Sequence, residues 1–347
     1  MDNGQNGQNR HGLINNLAET MNGTPNNMER MRKDLPLNTS IFFIYVQVLR
    51  ATHYFKRLFI TYPKKSAKNV YPVLSSDAYL NFCDTSISDQ QEFDLFKKLI
   101  SGADSFKTVN SIYLDGHWLG PFKELFETQK VVSPSTRKGI LLVGGTDDTR
   151  LPQDFDWAKN FFLIVKVVNL KFESDFVKGL PLGIESTKYG SGGRFRYFMR
   201  KRKALNQNKL RPIKYLIAFN EATNTSARSH ARIHFEKVKD ASIIRNRIPV
   251  AALHYLMTKS EFVICPRGNG MDTHRIWESA YLGAVPVILA NSAPGGSHAW
   301  PVLQVENWED LIRMNCENSD IKRFFKDEQR TILNLERRIW SAFEHER

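Results

Sequence analysis

Along the chain, short continuous apolar runs alternate with segments whose apolar residues recur at helical spacing. Runs at residues 111–114, 138–143, 161–168, 213–219, 262–265 and 285–289 read as buried strands. Residues 90–100, with Phe93, Phe96, Leu99 and Ile100 on one stripe, read as a helix, as do residues 249–257 and about 274–282. Two further helical patterns follow at 308–314 and 321–343, the second with Ile332, Leu335, Ile339 and Phe343 as a packing stripe. Apolar strands joined by helical crossovers imply parallel pairing, so the pattern predicts an α/β fold.

The order of these segments divides the chain. Residues 1–34 are rich in Asn, Gln and Gly and poor in large apolar residues, which predicts a disordered polar tail. Residues 35–187 form a first α/β half and residues 213–347 a second. The intervening 188–212 is glycine-rich and then basic, with Arg194, Arg196, Arg200, Lys201, Arg202 and Lys203 crowded around Phe195, Tyr197 and Phe198. We read it as a linker or arm. The apolar stretch 41–46 is far shorter than a membrane span and reads as a buried strand or helix start. The aromatic and basic residues up to 62 leave open a peripheral contact with an anionic membrane surface.

The chemistry concentrates in residues 261–291, a strand, a glycine-bearing loop, a short helix with a start signal at Asp272 or Thr273 and a stop at Gly283, and a second strand. Free N–H groups at such a helix start form an anion site. Arg267 lies in the loop and Arg275 in the first turn, where a cation is disfavoured unless an anion is also present. Glu278 shares a helix face with Arg275. That face can offer two guanidinium forks to a diphosphate and a carboxylate to sugar hydroxyls. The plainer alternative is a surface Arg275–Glu278 ion pair beside a structural turn.

Other strand ends carry polar residues where α/β sheets bind ligands. The strand at 213–219 ends at Asn220, and the following turn supplies Asn224, Arg228 and Arg232, the two arginines one helical turn apart. They read as phosphate contacts or as a solvated basic face. In the first half, residues 111–114 lead to His117, and residues 138–143 lead to Gly144, Gly145, Asp147 and Asp148. One of these carboxylates or the histidine can serve as a general base; a turn, a cap and a structural histidine are the alternatives.

With 347 residues, the chain is long enough for two domains with full cores. A net charge of +13 favours polyanionic partners in general. No zinc finger, RNA-recognition signature or heptad-linked basic region accompanies it, so nucleic acid is not the expected partner. Cys83, Cys265 and Cys316 are widely separated and form no disulfide or zinc pattern, which favours a reducing compartment.

The run CPRGNGMDTHRIWESAYLGAVPVIL resembles the carboxyl-terminal signature of exostosin-like glycosyltransferases: a strand into a Pro-Arg-Gly loop, an Arg-x-x-Glu helix, then Gly-x-x-Pro-Val. Weaker similarity extends back over residues 213–232 and the 180–186 turn. The resemblance implies a GT-B-like architecture, two Rossmann-like domains with parallel sheets facing a cleft. The second domain would hold a UDP- or GDP-linked sugar, and the first would be the acceptor side. Transfer to a glycan or glycoconjugate hydroxyl would proceed with inversion, with no metal and no other cofactor. Arg267, Arg275 and the helix start, with Arg228 and Arg232 as neighbours and Asn220 beside them, would bind the donor diphosphate. Backbone at Gly268 and Gly270 would approach the phosphates, and Glu278 would hold the ribose. The base would come from the first half, with Asp148, Asp147 and His117 as ordered candidates. Family members from animals carry an amino-terminal anchor; without one, the enzyme is expected in the cytoplasm or peripherally on the cytoplasmic membrane face. Two rivals remain: a metal-dependent GT-A transferase using Asp154 and Asp156, and a non-catalytic binder of nucleic acid or acidic glycan using residues 194–203. The glycosyltransferase reading expects Glu278→Ala and Arg275→Ala to abolish transfer and leave the fold intact.

Overall fold

The computed structural model describes residues 73–101, 109–128, 139–186, 197–198, 211–314, 335–336 and 339–340. The tail at 1–34, the segment 35–62, the basic cluster at 194–203 apart from Tyr197 and Phe198, and most of the helical pattern at 321–343 lie outside these residues.

The first half builds a parallel five-stranded sheet in strictly sequential order. A helix α1 (Ser76–Phe82) precedes β1 (Thr85–Ile87), α2 (Gln90–Ser101) leads to β2 (Ser111–Asp115), and α3 (Leu119–Thr128) leads to β3 (Ile140–Gly144). The sheet is completed by β4 (Ile164–Val167) and β5 (Val177–Gly179). The second half contains β6 (Ile213–Ile217), α4 (Thr225–Phe235), β7 (Ala241–Ile243), α5 (Val250–Thr258), β8 (Ser260–Ile264), α6 (His274–Tyr281), β9 (Val285–Leu289), β10 (Leu303–Val305) and α7 (Trp308–Arg313). Its sheet is also parallel and runs β10-β9-β8-β6-β7. The chain is therefore α/β, with two Rossmann-like halves and a cleft between them.

Burial explains why these residues become these strands. The interior strands β2, β3, β8 and β9 are buried on both faces, the signature of a parallel sheet covered by helices. The four strands that hydrophobic patterning leaves unpredicted, β1, β5, β7 and β10, are three residues long and each lies at a sheet edge. Three residues are too few to carry a period, and an edge strand needs only one partner.

One core runs between the halves. Leu142 of β3 and Val168, just beyond β4, share it with Leu216 of β6, Val263 of β8 and Ile276 of α6. Trp340 packs on Tyr79 and Phe82 of α1, with ring centroids 5.5 and 4.3 Å apart. The Tyr281 hydroxyl accepts a hydrogen bond from Leu74 N–H at 3.0 Å and donates to the buried Glu336 at 2.6 Å. Tyr197 stacks on His254 at 5.8 Å, and Phe198, itself buried, meets the same ring at 5.1 Å. These two aromatics of the basic segment therefore serve the core. Among the described residues no helix is long and apolar enough to cross a membrane.

Candidate functional site

The strand order of the second sheet determines where a ligand can sit. From β6 the chain crosses to β7 on one side and returns to β8 on the other, so the connections diverge between β6 and β8. Crevices open outside the carboxyl ends of parallel strands at such a switch point. A cleft of 720 Å³ lies there, floored by Ala218–Asn220 and by Ile264–Pro266. The start of α6 forms one wall with His274, Arg275 and Glu278, and the first half contributes Asp147, Leu182 and Glu185.

The loop between β8 and α6 is fastened through its carbonyls. Arg267 O accepts from Arg228 Nε at 3.2 Å, Gly268 O from Asn224 Nδ2 at 2.9 Å, and Asn269 O from Arg267 Nη2 at 3.0 Å. With the carbonyls so used, the N–H groups of Gly268 and Gly270 have no protein acceptor among the described residues. Thr273 occupies the N-cap of α6 without making a side-chain cap bond, and its buried Oγ1 has no partner among the described residues. The helix start thus keeps donors available to a ligand. At the other end, Gly283 adopts φ 78° and closes a Schellman motif, with Gly283 N–H to Ala280 O and Ala284 N–H to Ser279 O.

Arg228 is held from three sides. Nη1 donates to Asn220 O at 2.6 Å and to Thr223 Oγ1, and Nε donates to the loop. Nη2 faces Gly268, where a Cβ would lie 2.9 Å away. Burial, reinforced by the nearby charge of Arg275, pushes the Arg228 guanidinium below its usual range. Two cations that disfavour each other in a partly desolvated cleft make a site that gains from an anion.

Glu278 is the counterweight. Its Oε2 lies 3.3 Å from Arg275 Nη1 and its Oε1 3.4 Å from Nε2 of His254, which is 1% exposed. Burial pushes the Glu278 carboxyl up, but the His254 hydrogen bond and the charges of Arg275, His254 and His274 outweigh it. The group is held at about 2, so it stays ionised and accepts hydrogen bonds across the physiological range.

The structure redistributes the residues singled out from sequence. Arg275, Glu278, Arg228, Gly268, Gly270 and Asn220 line the cleft, as does Asp147 from the first half. Arg267 does not; its side chain turns back onto its own loop, because Asn269 O is the acceptor within reach. Arg232 is also outside, buried in an ion pair with Glu221 and bonded to Phe219 O at 3.1 Å. Asn220 uses its side chain to cap the turn at Ala222 N–H and its carbonyl to hold Arg228. Gly270 is required by the first half, since a Cβ there would meet the Asn169 amide at 2.6 Å. Among the base candidates, Asp148 pairs with Arg150 at 2.9 Å and His117 with Asp115 at 2.6 Å, both away from the cleft lining. Asp147 alone of the three lines it, with Oδ2 accepting from Asn269 Nδ2 at 3.3 Å. Asp154 and Asp156 lie in a 3-10 turn, where Asp154 caps Leu151 N–H at 2.9 Å and Asp156 pairs with Lys159 at 2.6 Å. Neither lines the cleft.

Other polar residues tie the cleft walls together. Asn169, with φ 60° and 1% exposure, accepts from Asp272 N–H at 2.8 Å and donates to Thr146 O at 3.0 Å. Asp272 accepts from Leu182 N–H at 2.8 Å and from Trp277 Nε1 at 2.9 Å. His254, His274 and Glu185 complete the set. Apart from the helix-start signal at Asp272, local sequence does not single them out, and the partners of Asn169, His254 and His274 lie far away in the chain.

Burial pushes the Asp272 carboxyl up to about 7, against hydrogen bonds from Leu182, Trp277 and Thr273 that favour its anion. The ordinary value is 3.8, so between these two values the native state holds more protons than the unfolded state. Stability should therefore fall as pH rises from about 4 through about 7, by at most about 1.4 kcal/mol per pH unit. Urea denaturation across that range should show the fall in the wild type and a flatter profile in Asp272→Asn. Identical slopes would contradict the assignment.

Comparison with protein-family models finds no match, and no curated protein sequence matches the chain either. Among solved structures the chain is similar to a UDP-forming α,α-trehalose-phosphate synthase from Burkholderia xenovorans at 12% identity and TM-score 0.39, over 74% of this chain and 79% of that one. It is also similar to an α,α-trehalose 6-phosphate synthase from Burkholderia multivorans at 10% identity and TM-score 0.38, over 74% and 77% of the two chains.

Proposed function

We propose that the chain is a GT-B glycosyltransferase of exostosin-like type that moves a sugar from a UDP- or GDP-linked donor to a glycan or glycoconjugate hydroxyl. The observation that carries this reading is the pairing of two guanidiniums with one ionised carboxylate at the switch point of the second sheet. Arg228 and Arg275 face the same space at the start of α6, three residues before Glu278.

In this reading the diphosphate lies across Arg228 Nη2, Arg275 and the free N–H groups of the loop, and Glu278 takes the ribose hydroxyls. The acceptor hydroxyl enters from the first half, and its oxygen attacks the anomeric carbon. The bond from that carbon to the β-phosphate oxygen breaks, and the electron pair leaves with the diphosphate. Preorganised cations stabilise the charge as it develops, which is the role that would make a metal unnecessary. Asp147 takes the acceptor proton, and a single displacement inverts the anomeric centre.

The test is release of free nucleoside diphosphate from a panel of UDP and GDP sugars, with excess chelator present. The wild type should release it, and Arg275→Ala should lower kcat/KM by roughly 100-fold or more. Complete loss on chelation, restored by a divalent metal, would sink the metal-free mechanism. No release from any donor would sink the enzyme reading.

A further inference from the structure

His274 is the first residue of α6, one position before Arg275 and one helical turn before Glu278. It lines the cleft. Its Nδ1 lies 2.8 Å from Gly183 O, in the first half of the chain. A carbonyl oxygen only accepts, so Nδ1 carries the proton and donates it. Whenever the ring is neutral, it is thereby held in one tautomer, with its lone pair on Nε2. Among the described residues Nε2 has no hydrogen-bond partner. A cleft-facing imidazole oriented by a carbonyl on one nitrogen and open on the other has the form of an acceptor waiting for a donor.

We infer that His274 Nε2 accepts a hydrogen bond from a substrate hydroxyl, with Gly183 O as the group that aims it. This rests on the glycosyltransferase reading and extends it, because guanidiniums and backbone N–H groups can only donate. They bond phosphates and hydroxyl oxygens, whereas the proton of a sugar hydroxyl needs an acceptor. Glu278 is already shared between Arg275 and His254. The hydroxyl belongs either to the transferred sugar or to the attacking acceptor, for which water substitutes during donor hydrolysis.

His274→Asn separates aiming from accepting. The asparagine amide nitrogen takes the position of Nδ1 and can still donate to Gly183 O, but nothing replaces Nε2. UDP, GDP, UDP-glucose, UDP-galactose, UDP-N-acetylglucosamine, UDP-xylose and GDP-mannose are first ranked by their affinity for the wild type. Turnover of the best donor is then followed against pH in both proteins. We expect the variant to bind the free nucleotide normally and to lose about tenfold or more in kcat/KM. If the hydroxyl is on the donor, the variant also loses the affinity that the sugar adds over the free nucleotide. If it is on the attacking group, the acid limb of the pH–rate profile disappears, and the base is His274 instead of Asp147.

A variant within twofold of wild-type kcat/KM overturns the inference. So does a drop in turnover that leaves both the sugar increment and the acid limb unchanged, since that marks a purely structural role. A wild type that neither binds nor consumes any donor refutes the underlying enzyme reading, and does so before the variant is made.

Discussion

Glu278→Ala is expected to destabilise the protein by about 3–5 kcal/mol and to abolish donor turnover. The carboxylate is 8% exposed and sits between Arg275 and His254, so its removal leaves a guanidinium and a buried imidazole without their common acceptor. Breaking one partner of a buried ionic cluster costs more than the cluster itself contributes. This departs from the expectation, formed on sequence alone, that alanine here would spare the fold. Glu278→Gln keeps the volume and one acceptor and should cost less stability while still losing donor affinity. Chemical denaturation at neutral pH, together with nucleotide release at a temperature where both variants are folded, measures the two effects. A Glu278→Ala stability within about 0.5 kcal/mol of wild type would place the residue outside a buried cluster.

Asn169→Ala should come next, at about 2–4 kcal/mol. Its amide joins the loop that bears Asp147 to the start of α6, through Thr146 O and Asp272 N–H. Alanine strands the buried Asp272 N–H and the part-buried Thr146 O, and it keeps the Cβ at φ 60°, a conformation that costs roughly 1–2 kcal/mol, without the amide contacts that offset it. Asn169→Gly removes the strain but not the lost bonds, so it should be the milder variant by about that difference. Denaturation midpoints of the two variants read the order directly. An alanine variant as stable as the glycine one would mean that this backbone conformation carries no cost.

The legible part of the fold is the part that is local. Residues 261–291 carry strand, loop, helix and strand in one unbroken run, and the structure places β8, α6 and β9 there, with Val285–Leu289 as patterned. Edge strands escaped because burial on one side of a three-residue segment leaves no period. The α6 wall of the cleft was legible for the same reason as its helix, since Arg275 and Glu278 are fixed relative to each other by three residues of α-helical geometry. Loop arginines have no such constraint. Arg267, expected at the cleft like Arg228, turns instead onto Asn269 O, and sequence does not say where a carbonyl points. Contacts between the halves were the least legible: Asp272 finds Asn169 from 103 positions away, and His274 finds Gly183 from 91.

The central claim is that the cleft beyond β6 and β8 holds a nucleoside diphosphate sugar. A crystal structure of the protein with the tightest-binding nucleotide from the donor panel tests it most directly. The account predicts the diphosphate at the start of α6, within hydrogen-bond distance of Arg228 and Arg275, and the ribose against Glu278. A nucleotide bound elsewhere, or one whose phosphates point away from both arginines, would contradict it.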